Sequence, residues 1–417
     1  MKILFLTQIV PFPPDAGPKV KTWHVLRALK QQGHSVVLVS FVRLEEMQYL
    51  PALEKTCDGV YAVPIHRSGL ADIGYMIKSY LTDRPFLVER DDLRPMQDTV
   101  NQLVKGNDFD FIHADQLTMV QFALRGASVS MDKKPKVIFD AHNAVWSIVE
   151  RMQENAHWFL RPVLGIEARR VKRYEGELLK TVDHVLAVTD VDRVGLEDAL
   201  AFSKIKKNDR IAPITVAPIA VDTKQLKPIK RRQGSKNIVT LGTLHYPPNA
   251  DGIRWFFNKV FPLVQRRVPD ATLTIIGKNP PRDFLEAAAR NPGTIKVTGY
   301  VDDLIPYLEE SALMVVPVRA GGGMRVRILE AFAYAMPVVT TTIGLEGIQA
   351  VPDQDVFIGD AAMDFASRTV DLLEDPSLQE KLSSHGRQLA ETKYDWQVVL
   401  SAMESIYEYS VDHENLA

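Results

Sequence analysis

Apolar runs of strand length recur along the chain, each followed by a polar or glycine-bearing turn and then by a stretch of helical period. The first, Lys2 to Thr7, is nearly continuous, as in a parallel strand covered on both faces. A proline-rich turn, Pro11 to Pro18, leads into a predicted helix from about Lys19 to Gln32, and Gly33 closes it before the apolar run Ser35–Phe41. That order predicts a βαβ unit with a right-handed crossover. Further strands are expected at Gly59–Pro64, Phe109–His113, Lys136–Asp140 and His184–Thr189, with a long helical region over 143–182. The pattern restarts at Asn237–Gly242. A strand-end turn at 243–249 follows, then a helix from about Ala250 to Val268, and strands at Ala271–Gly277, Ile295–Gly299, 313–318 and Pro337–Thr341. Alternation of this kind predicts an α/β fold with two doubly wound halves. The basic stretch 203–236, with Pro228 and Gly234, reads as the join, and a cleft between the halves is the default site.

Length agrees with two domains, since 417 residues exceed what one core usually holds. A net charge of −2 argues against nucleic-acid binding. The single Cys57 leaves no intrachain disulfide, which fits a reducing cytoplasm. The apolar start is too short for a signal peptide and runs into Pro11, Pro13 and Pro14; no apolar run reaches the roughly 18 residues that span a bilayer. The mixed charges of 143–182 read as a solvated face. Trp158, Phe159 and Leu160 beside them supply the alternative, a peripheral contact with anionic lipid.

The richest chemistry lies at 315–331, a short strand, a triple-glycine turn and a helix. Gly321, Gly322 and Gly323 let backbone approach a ligand closely, and the following helix start offers free N–H groups to a phosphate. Arg319, Arg325 and Arg327 add positive charge. Arg325 and Arg327 cannot share one helix face, and Arg325, nearer the glycines, is favoured as the phosphate contact. Glu330 lies seven residues past Gly323, about 10 Å along a helix at ~1.5 Å per residue, where it suits the hydroxyls of a ribose. The plain reading is a loop capping an amphipathic helix, because Met324, Ile328, Phe332 and Ala335 form an apolar stripe. No Walker pattern or spaced dinucleotide fingerprint is present. Other strand ends carry Gly17 with Asp15, His113 with Asp115, the run Asp140 to Asn143, Thr189 with Asp190, and Gly242. His142 stands out there because strand ends favour sites.

These residues resemble the retaining nucleotide-sugar glycosyltransferases of family 4, which have the two-domain GT-B fold. The Gly17 loop, the segment Val216–Asp222 and above all Leu329–Val339 are similar to that family's motifs. The resemblance implies an acceptor-binding domain over 1–222, a linker over 223–236, a donor domain over 237–395 and a final helix, 396–417, crossing back to the first domain. It also implies ribose binding by Glu330, phosphate proximity for Gly17 and a sugar-facing His142. Three places depart from the family pattern. Gly322 stands where a glutamate is usual, residues 242–249 hold no arginine or lysine, and Ile219-Ala220 replaces the Asn-Gly of the interdomain segment.

The expected reaction is sugar transfer from a nucleoside diphosphate sugar to a hydroxyl acceptor, with His142 and Arg325 as catalytic residues. Gly17, Gly242, Arg319, Gly321, Gly322, Gly323, Met324, Arg325 and Glu330 are expected on the donor, and Asp15, His113 and Asn143 on the acceptor side. Amides, a helix start and arginines stabilise a leaving diphosphate, so neither metal nor cofactor is expected beyond the co-substrate. The alternatives are a sugar-nucleotide epimerase and a catalytically weak sugar-nucleotide-binding protein.

Overall fold

The computed structural model describes residues 1–131 and 133–412. The chain forms two compact units, Met1–Ile219 together with the C-terminal helix from Val399 on, and Ala220–Val398.

The first unit is built on seven parallel strands, β1 (Lys2–Thr7), β2 (Ser35–Val42), β3 (Gly59–Pro64), β4 (Phe111–Asp115), β5 (Lys136–Ala141), β6 (His184–Ala187) and β7 (Ile214–Val216). They stand in the order β3-β2-β1-β4-β5-β6-β7. The apolar runs form strands buried on both faces: Ile3 to Leu6 of β1 and Val137 to Phe139 of β5 are almost wholly excluded from water. β4 begins two residues later than its apolar pattern suggests, which brings Asp115 onto the strand. The expected helix over 143–182 is two helices, Val145–Asn155 and Arg161–Leu178. Pro162 opens the second, where its missing N–H costs no helical bond.

The second unit carries six parallel strands, β8 (Asn237–Leu241), β9 (Thr272–Ile276), β10 (Ile295–Gly299), β11 (Leu313–Val316), β12 (Val338–Thr340) and β13 (Phe357–Ile358). Their order is β10-β9-β8-β11-β12-β13. Phe256, Phe261, Phe284 and Phe365 fill its core. The basic stretch before β8 is fastened down: Arg231 donates to the Ala312 carbonyl at 2.9 Å, and Arg232 pairs with Glu310 at 2.8 Å. The α/β doubly wound class read from the sequence is therefore what both units have. Among the described residues no helix is long and apolar enough to cross a membrane.

The last helix, Trp396–Asp412, leaves the second unit and packs into the first. Tyr407 on it is fully buried, with its hydroxyl 2.7 Å from His113 Nδ1.

Candidate functional site

In each sheet the strand order reverses once, between β1 and β4 in the first and between β8 and β11 in the second. Connections leave such a point in opposite directions, so a crevice opens at the carboxyl ends of the two strands. Most of the polar residues singled out above lie at or beside these two places, while Thr189 and Asp190 follow β6.

In the second unit the loops following β8 and β11 form the site. Gly321 and Gly323 take φ of +96° and +86°, a left-handed conformation in which a side chain would be strained. Helix Pro247–Trp255 can press against this loop because Gly252 lacks a Cβ, which would stand 2.0 Å from the Pro317 carbonyl oxygen. The helix after the glycines spans Val326–Ala333, with Arg325 as its N-cap. Arg325 turns back over its own loop, donating to the carbonyls of Gly322 and Gly323 at 2.6 and 2.5 Å. Arg319 points elsewhere, over the Trp255 ring at 5.3 Å and towards Asp251 at 3.7 Å.

Arg327 instead reaches the end of β8. Its Nη2 is 3.5 Å from Thr243 Oγ1, and a Cβ on Gly242 would lie 3.4 Å from its Nη1. Glycine at 242 thus makes room for this guanidinium. Burial pulls the Arg327 pKa down from its ordinary value; the Glu330 charge opposes that and Arg325 adds to it. Glu330 sits on the same helix, half-buried, its pKa raised by burial against the attraction of Arg327. Met324 is buried beneath the loop.

In the first unit the register pairs Thr7 with Asp115 and Asp115 with Asp140, so three polar side chains share one face at the strand ends. Asp115 accepts from the Thr7 and Thr22 hydroxyls at 2.8 and 3.0 Å, and its other oxygen lies 2.7 Å from His142 Nε2. A carboxylate only accepts, so Nε2 is the donor in this bond. Asp140 is ion-paired with the buried Lys21. Burial pushes the Asp140 pKa up, but Lys21 and His113 outweigh it and hold the carboxyl well below the usual range. His113, Asp115 and Asp140 offer donor atoms within 4.8 Å of one another, and the cation already among them is the Lys21 ammonium.

The remaining expected residues are placed as follows. His113 is fully buried, stacked on Phe5 with ring centroids 4.3 Å apart, and touches Tyr407 rather than the surface. Asp15 is exposed and pairs with Lys19 at 3.4 Å. Gly17 is the first residue of helix Gly17–Gln31. Asn143 is half-buried in the turn after β5. That turn is pinned from behind: Glu175 accepts from the Val145 and Trp146 amides at 2.8 and 3.0 Å, and Asp192 from the Ala144 amide at 3.0 Å.

Sequence reading missed Lys21, Thr22 and the direction of Arg327. Lys21 carried a signal, since it falls on the core stripe with Val25 and Ala28, where an unpaired charge is rarely tolerated.

Residues 235–375 match the family model described as glycosyl transferases group 1. A glycogen synthase of Mycobacterium tuberculosis is 25% identical over 314 residues, 69% of this chain and 73% of that protein. An uncharacterized protein of the Klebsiella pneumoniae cps region is 26% identical over 173 residues, 40% of this chain; the match takes in 45% of that protein's length. Among solved structures, Anabaena HepE in complex with UDP and glucose superposes with a TM-score of 0.67 at 14% identity, covering 98% of this chain and 100% of that one. WaaG, a glycosyltransferase of lipopolysaccharide biosynthesis, gives 0.62 at 12% identity, covering 96% and 98%. The structural likenesses establish the GT-B fold.

Proposed function

We propose that this chain, whose residues 235–375 match the group 1 glycosyl transferase model, moves a sugar from a nucleoside diphosphate sugar to a hydroxyl acceptor. The observation that carries the reading is the group at the β8/β11 switch point: left-handed glycines, a helix start, Arg327 and half-buried Glu330. Phosphate oxygens suit the amides and the guanidinium, and two vicinal hydroxyls suit the carboxylate. The strand-end segment 242–249 has no arginine or lysine of its own, and Arg327 supplies that charge from the neighbouring loop.

In the proposed reaction the bond from the anomeric carbon to the diphosphate oxygen breaks, its electron pair leaving with the diphosphate. The acceptor hydroxyl oxygen forms the new bond on the same face, with retention, and its proton passes to the departing diphosphate. Arg327 and the glycine-loop amides stabilise the charge that builds on the leaving group, work that a divalent cation does in other enzymes. His142, held by Asp115, is assigned to the transferred sugar. The reading is of a cytoplasmic, metal-free reaction, supported by the single cysteine and by arginine and amide stabilisation of the diphosphate.

HepE is bound to UDP and glucose, so UDP-sugars are the first donors to try. Release of nucleoside diphosphate that requires an acceptor and persists in EDTA supports the proposal. A donor converted to its epimer without acceptor refutes transfer, and loss of turnover in EDTA refutes the metal-free form.

A further inference from the structure

Helix Gly69–Thr82 carries a regular apolar stripe, Leu70, Ile73, Ile77 and Leu81, spaced as one helical face. That face is turned outward. Leu70 and Leu81 are 85% and 83% exposed, and Ser79 is the helix's one buried residue. The apolar surface continues onto helix Arg161–Leu178. Arg170 stacks over the Tyr80 ring at 4.5 Å, and the exposed Ile166 and Val163 lie one and two turns before Arg170 on the same face. Just before that helix, Trp158 is 81% exposed and packs edge-on against the exposed Phe159 with centroids 6.0 Å apart. Exposed apolar surface on this scale marks an interaction surface.

Its charge says which kind. Segment 151–173 holds six Lys and Arg against two Glu, in a chain whose net charge is −2. Arg170 and Arg173 share the single carboxylate of Asp83, and Arg161 donates to the carbonyls of Glu154 and Ala156 instead of pairing with an acid. Protein interfaces deplete charge from their apolar centre, whereas an aromatic and aliphatic face bordered by arginines fits the headgroup layer of an anionic bilayer. We propose that this face of the first unit docks on an anionic membrane surface, with the 69–82 stripe and the Trp158–Phe159 pair entering the headgroup region and the exposed Arg161, Arg169 and Arg173 meeting lipid phosphates. The proposal is independent of the sugar-transfer reading.

The test is flotation of the full-length protein with vesicles of phosphatidylcholine, with and without phosphatidylglycerol. Wild type should float with the anionic vesicles, less so at high salt. Leu70→Ser/Ile77→Ser/Leu81→Ser and, separately, Trp158→Ser/Phe159→Ser should each lower binding about tenfold or more. All five side chains are exposed, and thermal melts of the variants should match wild type. Wild type that stays free of anionic vesicles, or variants that bind as it does, would overturn the proposal. So would a wild-type dimer in sedimentation that the triple variant dissociates, since the occupant would then be a second copy.

Discussion

His142 Nε2 lies 2.7 Å from Asp115 Oδ1, while the other oxygen of that carboxylate holds the Thr7 and Thr22 hydroxyls. One buried acid thus joins β1, β4, the first helix and the turn after β5. It fixes the ring of His142 with Nε2 as the donor.

Asp115→Asn keeps the shape but cannot accept on both sides. Transfer should fall about tenfold or more through a displaced imidazole, with nucleotide affinity unchanged, because the proposed nucleotide site lies in the other unit. Steady-state kinetics beside nucleotide titration checks this. Equal loss in both would assign Asp115 to folding alone.

The two arginines beside the glycines have different duties. Arg325 is spent on its own loop, and Arg327 is directed at the end of β8. Arg327→Ala should weaken nucleoside diphosphate binding by about ten- to a hundredfold, the worth of a charge-assisted bond of ~1.5–3 kcal/mol. Arg327→Lys should recover part of it, because an ammonium keeps the charge but not the fork. Arg325→Ala should act chiefly by loosening the loop, with a smaller effect in the same titration.

Glu175 gives the first unit a pH dependence. Burial raises its pKa to about 8 against the help of two amide bonds, with Asp192 raising it further. The folded state therefore holds this proton more tightly than the unfolded chain, whose value is near 4.5. Its contribution to stability is full below that value and is lost as pH rises towards 8, with a slope of up to ~1.4 kcal/mol per pH unit. Denaturant unfolding at pH 5, 6.5 and 8 should show the decline, and Glu175→Gln should flatten it.

Much of this was legible in the sequence, for identifiable reasons. Strands covered on both faces must be almost wholly apolar, so Lys2–Thr7 and Lys136–Asp140 announced themselves. Triple glycine with a carboxylate downstream marked the loop after β11 by residue type alone. Lys21 pairs with a carboxylate 119 residues away in sequence, which no local pattern reports. Nearness to the glycines favours Arg325 over Arg327 in the sequence, and Arg325 proves to be the helix cap. The outward apolar face of helix Gly69–Thr82 is likewise visible only in the structure, because periodicity cannot say which side of a helix meets solvent.

The central claim is that the loops after β8 and β11 hold a nucleoside diphosphate with Glu330 on its ribose. Calorimetric titration of UDP, GDP, ADP and dTDP sugars into wild type and Glu330→Ala tests it most directly. The account predicts that one nucleotide binds clearly better than the rest and that the substitution abolishes most of that affinity. No binding of any of the four to folded wild type, or binding that Glu330→Ala leaves intact, would contradict it.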